Sequence, residues 1–329
     1  MTERGFIFMF YLGVDGGGSK TAFLLIDEEG KRISSVTLGS LDWFQIGPQG
    51  LEQTLRRGID EVCRQAGIAG AELAFAMLGI PCLGDELVEE APLVEEIAGR
   101  LLPPGRFRLV NDVEVGWAGS LACRPGIHLV SGTGAIGYGV DAAGRTARAS
   151  GWGHELGDEG SAHWLGKLLL ATFTREADGR ERRSLIYGLV RNHFGLEDDF
   201  QLLKMMQQWQ WNREKIAGLA RLLHQAAEAG EPKALRAFER AAGELSAIIR
   251  SIADQLGFSR ETEIPVSYSG GVFRAGTYVL EPLRRLLRDR RYKLMTPILE
   301  PVAGAALYAY KQVHPEADDR SLVQALTMP

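Results

Sequence analysis

The sequence predicts an α/β protein of two related domains with a cleft between them, and a repeated hairpin carries this prediction. A strand, a glycine-rich turn and a returning strand occur twice: Gly13–Thr21 reads GVDGGGSKT and residues 131–134 read SGTG. The two copies keep a constant register, since Gly18 corresponds to Gly132 at an offset of 114 that recurs along both hairpins. Glycine lets the backbone approach a bulky anion, and successive N–H groups with a hydroxyl form a nest for phosphate. We therefore expect a polyphosphate between the two domains.

The first half of the chain alternates strands and helices in the order of a ribonuclease-H-like layer. Apolar runs bounded by glycine or Asp-x-x-Gly turns predict strands, and helical spacing of apolar residues predicts helices. The predicted strands lie near residues 6–14, 21–27, 32–38, 73–78 and 107–110, and the helices near 49–66 and 85–101. This order is typical of a mixed sheet flanked by helices. We assign residues 1–122 to this N-terminal domain.

Residues 123–329 are predicted to form a second domain that starts like the first and carries a large helical insertion. Helices are expected near residues 158–174, 184–193, 198–208, 212–229 and 232–256. There follow a strand near 264–268, a helix to about 289, a short strand at 292–294 and a last helix near 301–314. We expect this last helix, which is rich in small residues, to pack back on the N-terminal domain. The polar tail after His314 is expected to fray.

Composition excludes several classes of function. The 329 residues carry a net charge of −5 and the pI is about 5.8, so we expect no nucleic-acid partner, which would require a basic surface. Cys63, Cys82 and Cys123 are scattered and odd in number, which favours a reducing, cytoplasmic location over a disulfide framework. The apolar run 6–12 enters the first glycine motif without a small-residue cleavage site. It therefore predicts a buried strand rather than a signal peptide, and we expect no membrane partner.

Asp15 closes the first predicted strand and directly precedes three glycines. A carboxylate beside a phosphate nest repels the phosphate unless a cation lies between them. Asp15 is therefore predicted to hold Mg²⁺ through water. A turn aspartate that caps local amides is the alternative interpretation.

Asp112 follows the strand near 107–110, at the start of a predicted helix. Aspartate is a common N-cap residue, which gives one interpretation. The other interpretation is a general base that takes the proton of a hydroxyl group during phosphoryl transfer. Its position in the sequence favours neither.

Residues 150–162 read SGWGHELGDEGSA, the densest run of glycine and polar residues in the chain. Histidine and carboxylates suggest a metal site, but the glycines prevent a helix that would align the ligands, and no HExxH motif is present. A rigid loop that presents Trp152 and Asp158 to a polyhydroxylated ligand is preferred to zinc. Residues 269–272 read SGGV between a strand and a helix, which indicates either room for a flat base or a plain tight turn.

Together these motifs resemble the N-acetylglucosamine kinase branch of the BadF/BadG/BcrA/BcrD ATPase family, in the actin/hexokinase superfamily. The resemblance spans about residues 9–312, and the segments that carry it are Gly13–Thr21, Asn111–Asp112, Ser131–Gly134, Gly151–Ser161 and Ser269–Gly271. It implies an actin-like ATPase fold with an interdomain cleft. It also implies a kinase that uses ATP and Mg²⁺ to phosphorylate the 6-hydroxyl of an amino sugar, with N-acetylglucosamine as the first candidate.

The resemblance further implies roles for individual residues. Asp112 matches the family's catalytic base, which also contacts the sugar. The other positions that match the sugar pocket are Asp42, Gly134, Gly151, Trp152, Asp158 and Ala162. The positions that match the ATP site are Gly17, Gly18, Ser19, Lys20, Thr133, Gly230, Gly270, Gly271 and Ala275. The implied partner is a small-molecule amino sugar, and a homodimer is compatible with the family.

Two departures from the family pattern leave the sugar open. Asp42 stands where the family has a sugar-binding asparagine, and a carboxylate only accepts hydrogen bonds, so it would also favour the ammonium of a free amino sugar. The loop after the fourth strand, Gly79-Ile80-Pro81-Cys82, is altered as well. Glucosamine and N-acetylmuramic acid are therefore alternative substrates. A sugar-binding regulator without catalysis and an ATPase that activates a reductase or dehydratase are further alternatives, although the cysteines lack the spacing for a shared iron–sulfur cluster.

Overall fold

The computed structural model describes residues 9–259, 262–288 and 292–327, and the chain forms two compact units. Unit 1 comprises Met1–Arg124 and Pro297–Pro329, and unit 2 comprises Pro125–Thr296. Each unit contains one five-stranded sheet that mixes parallel and antiparallel pairs. The predicted α/β class with a ribonuclease-H-like layer in each half is confirmed. Residues 6–8 of the first predicted strand lie outside the described residues.

The sheet of unit 1 brings three strand ends to one edge. Its strands are β1 (Phe10–Asp15), β2 (Thr21–Ile26), β3 (Arg32–Leu38), β4 (Leu73–Ile80) and β5 (Phe107–Asn111). Their order is β3-β2-β1-β4-β5, with β2 antiparallel to both neighbours and β1, β4 and β5 parallel. Asp15 pairs with Gly79, and Ile80 pairs with Asn111. The carboxyl ends of the parallel strands therefore lie side by side, which is where α/β sheets bind ligands.

Three helices connect these strands, namely α1 (Trp43–Ala66), α2 (Ala91–Leu101) and α3 (Asp112–Leu121). α1 begins earlier than predicted because Asp42 caps its first turn. The helix then kinks at Gly47, with φ 63° ahead of Pro48, so the sequence pattern becomes helical only after the kink. α2 begins later than predicted because residues 81–90 form turns and a short bridge instead of helix.

The sheet of unit 2 repeats that of unit 1 strand by strand. Its strands are β6 (Gly126–Ser131), β7 (Ala135–Val140), β8 (Thr146–Ser150), β9 (Ile264–Ser269) and β10 (Tyr292–Met295). Their order, β10-β9-β6-β7-β8, is that of unit 1 with β6 in the place of β1. Thr21 and Ala135 begin the corresponding second strands, so the repeat read from the sequence is a repeat of structure. β8 was not predicted from the sequence.

The helices of unit 2 are α4 (Ala162–Ala177), α5 (Leu185–Phe194), α6 (Gln201–Gln208), α7 (Arg213–Gly218), α8 (Ala220–Glu228), α9 (Pro232–Gln255) and α10 (Thr277–Leu286). α4 starts only after Ser161 has capped it, later than predicted. The helix predicted over 212–229 is divided between α7 and α8 at Leu219. The helix predicted after β9 is likewise divided, because a 3-10 turn, Gly271–Ala275, is followed by Gly276 at φ 60°.

The chain ends in unit 1 with α11 (Pro301–Val313) and α12 (Arg320–Thr327). α11 packs against α3 and β1 at backbone distance, since a Cβ on Gly304 would lie 2.0 Å from the nitrogen of Gly119. The expectation of a frayed tail after His314 is wrong. α12 buries Leu322, which lies against Gly30, and it thereby gains the apolar contacts that a frayed tail lacks.

Apolar side chains cover both faces of the sheet of unit 1. Leu12 and Val14 of β1 belong to a core with α1 and α2, whereas Tyr11 belongs to a second core with α3 and α11. This alternation is that of a central strand buried on both faces. Among the described residues, no helix combines the length and the apolar character needed to cross a membrane.

Candidate active site

The turn between β1 and β2 holds the glycines predicted to bind phosphate. Gly16 donates its N–H to the carbonyl oxygen of Gly79 (3.1 Å), and Leu41 donates to that of Gly17 (3.0 Å). A Cβ on Gly16 would lie 2.5 Å from the Gly79 oxygen, so this close approach requires glycine. Residues 18–20 are exposed. The hairpin is therefore fixed at its base, and the residues predicted to contact phosphate remain accessible.

Two carboxyl groups with raised pKa values lie near each other at the sheet edge of unit 1. Burial raises the pKa of Asp15 to about 6, an effect that Lys20 opposes and Glu300 reinforces. Burial raises the pKa of Asp112 to about 7, and the charge of Asp15 adds to this rise. The backbone N–H groups of Val113 and of Asp112 itself limit it. Carboxyl groups with pKa values shifted by burial and by each other are typical of catalytic sites.

The N-cap of α3 is Asn111, and not Asp112. The side-chain oxygen of Asn111 accepts the N–H of Val113 (3.0 Å). Its amide nitrogen donates to the carbonyl oxygen of Leu83 (2.9 Å) and to Oδ2 of Asp85 (2.8 Å). The interpretation of Asp112 as the N-cap is therefore wrong. Asn111 also ties the altered loop after β4 to the residue next to the predicted base.

Asp42 lies beside the first hairpin while it caps α1. One carboxylate oxygen accepts the N–H of Phe44 (2.9 Å), and the other accepts Nε2 of Gln45 (2.8 Å). A Cβ on Gly18 would lie 3.7 Å from the same carboxylate. The charge of Asp42 also raises the pKa of Asp112. The structure thus brings Asp42 together with the hairpin and with the other two aspartates.

The second predicted phosphate hairpin, residues 131–134, is held by the start of α4. The carbonyl oxygens of Gly132 and Thr133 accept the N–H groups of Ala162 (2.8 Å) and His163 (3.4 Å). These bonds take up two of the N–H groups that a helix start leaves unpaired. They fix the hairpin relative to the loop that precedes α4.

A cavity of about 670 Å³ in unit 2 lies beside this hairpin. Of the residues matched to the ATP site, Thr133, Gly271 and Ala275 line it, and Ala162, matched to the sugar pocket, lines it as well. The cavity also has charged and ionisable lining side chains that were not predicted from the sequence, namely Glu214, Arg221, His224 and Arg274. They come from the helical insertion and from the turn before α10, where no glycine motif marked them.

Two other glycines matched to the ATP site do not line this cavity. Gly270 packs against the carboxyl end of β6, because a Cβ there would lie 2.2 Å from the oxygen of Ser131. Gly230 adopts φ 78° in the turn between α8 and α9, and nothing lies within 4 Å of a Cβ built on it. Backbone geometry is thus the reason for glycine at both positions. Only some of the residues matched to the ATP site lie together at the cavity.

The loop before α4 carries the residues matched to the sugar pocket. Gly151 adopts φ 77° and Asp158 adopts φ 60°, a left-handed conformation that is uncommon for an aspartate. Trp152 is 75% exposed, so its ring is open to a ligand, whereas Asp158 is buried. Oδ1 of Asp158 accepts the N–H of Ala135 (3.3 Å), which joins the loop to the second hairpin.

Arg213, the first residue of α7, completes this part of unit 2 and was not predicted. Its Nη2 lies 2.6 Å from Oδ2 of Asp158. A Cβ on Gly134 would lie 2.4 Å from the same nitrogen and 2.8 Å from the carboxylate, so the ion pair covers Gly134. The structure therefore brings together Gly134 and Asp158, both matched to the sugar pocket, under one guanidinium group.

The zinc interpretation of this loop gains no support. Within residues 9–259, 262–288 and 292–327, no group of three His, Cys, Asp or Glu side chains is arranged to hold a metal ion. His154 and His163 instead stack edge to face with ring centroids 4.9 Å apart. Burial, together with the neighbouring charges, lowers the pKa of His163 to about 4, so this ring stays neutral.

Comparison with known proteins agrees with this arrangement. The model of the BadF/BadG/BcrA/BcrD ATPase family matches residues 12–309, which include both hairpins, both sheets and the helical insertion. The chain belongs to this family. The resemblance drawn from the sequence motifs is confirmed.

Two curated relatives and one solved structure match this chain over nearly its whole length. An N-acetylmuramic acid/N-acetylglucosamine kinase from Clostridium acetobutylicum is 27% identical over 91% of this chain and 98% of its own. An N-acetyl-D-glucosamine kinase from Dictyostelium discoideum is 25% identical over 91% of this chain and 97% of its own. The crystal structure of a candidate N-acetylglucosamine kinase from Chromobacterium violaceum superposes with a TM-score of 0.71, at 26% identity over 92% and 99% of the two chains.

Proposed function

We propose that the protein is an ATP-dependent sugar kinase that phosphorylates the 6-hydroxyl of N-acetylglucosamine, with Asp112 as the general base. The observation that carries the proposal is the state of Asp112: Asn111, and not Asp112, is the N-cap residue of α3, and burial raises the pKa of Asp112 to about 7. A base with that pKa is about half ionised near neutral pH and accepts a proton readily. The names of the two curated relatives support the substrate class.

In the proposed reaction, Asp112 accepts the proton of the sugar hydroxyl while the hydroxyl oxygen attacks the γ-phosphorus. The bond between the γ-phosphorus and the bridging oxygen breaks, and ADP leaves with the electron pair. Burial is the main cause of the raised pKa of Asp112, and it makes the carboxylate basic enough for this transfer. Positioning and electrostatics supply the remainder of the rate, because phosphoryl transfer needs little covalent help from the protein.

The cavity of unit 2 is the proposed nucleoside pocket. Its volume of about 670 Å³ lies within the range typical of ligand pockets. Thr133 stands at the hairpin end, where N–H groups and a hydroxyl suit phosphate, and Arg221 and Arg274 add positive charge. Gly17, Gly18, Ser19 and Lys20 of the first hairpin are also proposed to contact phosphate.

Mg²⁺ is proposed near Asp15, and the residues present fit a hydrated cation. In the described part of the chain, no hydrogen bond to the Asp15 carboxylate compensates its burial, which is why its pKa rises to about 6. This absence also counts against the interpretation as a turn-capping aspartate. A divalent cation held through water would neutralise that charge, and when bound it would offset the charge of the phosphates. Lys20 lies close enough to lower the same pKa.

Glucosamine is the second candidate substrate, and Asp42 is the observation that favours it. Its carboxylate accepts two hydrogen bonds and lies beside the first hairpin. A free ammonium would gain an ion pair with this carboxylate, whereas the uncharged N–H of an acetamido group would gain only a hydrogen bond. The carboxylate of N-acetylmuramic acid would be repelled at the same place, although the Clostridium relative is named for that sugar.

A cytoplasmic location and a homodimer remain predictions. Among the described residues, none of Cys63, Cys82 and Cys123 forms a disulfide, which suits a reducing compartment that also supplies ATP. Their separate positions offer nothing to an iron–sulfur cluster, so the reductase-activator alternative has no support from these residues.

An ADP-release assay tests the proposed function. Purified protein with ATP and Mg²⁺ should release ADP with N-acetylglucosamine, while glucosamine and N-acetylmuramic acid measure selectivity and glucose serves as the control. Asp112→Asn should lower kcat by at least about 10², because the general base is lost. Glu114→Gln is the matched control two residues along the same helix; its carboxylate bonds Tyr308 (2.9 Å), outside the site. Near-normal turnover in Asp112→Asn would refute the assignment of the base.

A further inference from the structure

Arg213 has more hydrogen-bonding capacity than its surroundings use. A guanidinium group carries five N–H donors. Among the described residues only Oδ2 of Asp158 accepts from it, at 2.6 Å, and its Nε is buried without a hydrogen-bond partner. A buried donor without a partner is unfavourable. The side chain is nevertheless 36% exposed, so it can change partner without leaving a closed core.

The position of Arg213 at the start of α7 is also unfavourable for the helix alone. A helix N-terminus favours negative charge, and a cation in its first turn is disfavoured. The two residues before the cap, Gln210 and Trp211, adopt left-handed conformations at φ 50° and 54°, which are strained for non-glycine residues. Asn212 then caps the helix by accepting the N–H of Lys215 (2.9 Å). The structure of α7 itself therefore gives no reason for an arginine at this position. The contact of its guanidinium group with Gly134 and Asp158 at the second hairpin does give one.

We propose that Arg213 binds the γ-phosphoryl group of ATP, and that it does so by exchanging the carboxylate of Asp158 for a phosphate oxygen. This proposal rests on the proposed kinase function. Arg213 covers Gly134 at the tip of the second hairpin, and the next residue, Glu214, lines the nucleoside cavity together with Thr133. The guanidinium group thus lies at the hairpin proposed to bind phosphate, next to residues that line the cavity. An arginine aimed at a transferring phosphoryl group stabilises the charge that develops on it.

The exchange has a consequence for Asp158. Its side chain is 3% exposed, so it is left as a buried carboxylate once the guanidinium group moves away. Only the N–H of Ala135, at 3.3 Å, remains as a donor to it among the described residues. A sugar hydroxyl would supply the missing hydrogen bond, which agrees with the match of Asp158 to the sugar pocket. Binding of the sugar would then free Arg213 for the γ-phosphate and so raise the affinity for ATP.

Nucleotide affinity without any sugar tests this role separately from the reaction. The dissociation constants of AMPPNP and of ADP are measured by calorimetry with Mg²⁺ for wild type, Arg213→Gln and Arg213→Lys. Arg213→Gln should weaken AMPPNP about 10- to 100-fold, the range for a hydrogen bond between charged groups, and ADP by less than about threefold. Arg213→Lys keeps the positive charge but loses the planar arrangement of N–H donors, so its affinity for AMPPNP should lie between those of wild type and Arg213→Gln. Arg180→Gln is the matched control, since Arg180 pairs with Asp178 (2.6 Å) on the surface of the same unit.

The outcomes separate this proposal from the proposed function. An equal loss of affinity for AMPPNP and ADP, or no loss for either, would overturn the role of Arg213. Binding of neither nucleotide by the wild type would instead overturn the kinase function. Asp158→Asn should tighten AMPPNP but not ADP, because it removes the carboxylate that competes for the guanidinium group. Circular dichroism checks that each variant folds. If Arg213→Gln does not fold, Arg213→Lys still tests the proposal.

Discussion

Replacing Asp112 by asparagine is expected to remove activity and, above neutral pH, to stabilise the fold. The wild-type carboxyl has a raised pKa, so the native state binds its proton more tightly than the unfolded chain does. Stability contributed by this group is therefore complete below its ordinary pKa of 3.8 and is lost as the pH rises through about 7. Asparagine does not titrate, and the variant escapes this loss.

The size of the effect follows from the shift in pKa. The pKa rises from 3.8 to about 7, and each unit corresponds to about 1.4 kcal/mol, so the full shift corresponds to about 4 kcal/mol. The side chain is only partly buried, and solvent screens its charge, so we expect about half of that value. Between pH 5 and pH 8 the stability difference between variant and wild type should change by about 1–2 kcal/mol. That change corresponds to about 2–8 °C in Tm for a unit of this size.

Thermal unfolding at pH 5, 6, 7 and 8, at constant ionic strength and without nucleotide, sugar or Mg²⁺, measures this difference. Tm of Asp112→Asn should rise relative to wild type with each step in pH, while Glu114→Gln should run parallel to wild type. A difference that does not depend on pH, or an Asp112→Asn variant that is less stable at pH 8, would refute the reasoning. Loss of activity together with a gain in stability would rule out misfolding as the cause.

Three further predictions concern the same molecule. kcat/KM for the sugar should fall about tenfold per unit below pH 7, since the base must be ionised, and a flat profile from pH 6 to 8 would contradict this. Gly304→Ala should lower Tm by about 4–8 °C because its Cβ would lie 2.0 Å from the Gly119 nitrogen. Gly99→Ala, at an exposed position of α2, should raise Tm slightly, and equal shifts would argue against the packing. Glu176→Ala should destabilise the protein by about 2–3 kcal/mol in urea, because Lys233 loses a fully buried partner at 2.6 Å; a loss below about 1 kcal/mol would count against this ion pair.

The duplicated sheet could be predicted because glycine turns and apolar strands repeat at a fixed offset. That register survives in the structure, where Thr21 and Ala135 begin corresponding strands. The strand ends that carry Asp15 and Asn111 could be predicted for the same reason, since each apolar run stops at a polar residue. The local sequence pattern was therefore sufficient to predict the structure wherever a motif coincides with the end of a strand.

Contacts between distant segments could not be predicted in this way. α12 is stabilised by Leu322 against Gly30, nearly the whole chain away, and its local composition reads as a polar tail. Arg213 meets Asp158 only because α7 folds back on the second hairpin. A signal for Arg213 did exist, because a cation directly after an asparagine cap opposes the helix dipole. The choice between Asn111 and Asp112 as the cap of α3 depended on which side chain turned toward the N–H of Val113.

Unit 1 holds carboxylates with raised pKa values and unit 2 presents arginines, and the proposed reaction gives a reason for both. Unit 1 holds Asp15 and Asp112, whose pKa values are raised mainly by burial. Unit 2 presents Arg221 and Arg274 on its cavity and Arg213 with a buried unpaired Nε. A fold selected for stability alone would pair or remove such groups, whereas the proposed Mg²⁺ would supply a cation for the carboxylates and the proposed nucleotide would supply phosphates for the arginines. We therefore expect Mg²⁺ and AMPPNP together to raise Tm by more than their separate effects combined, and additive shifts would contradict this account.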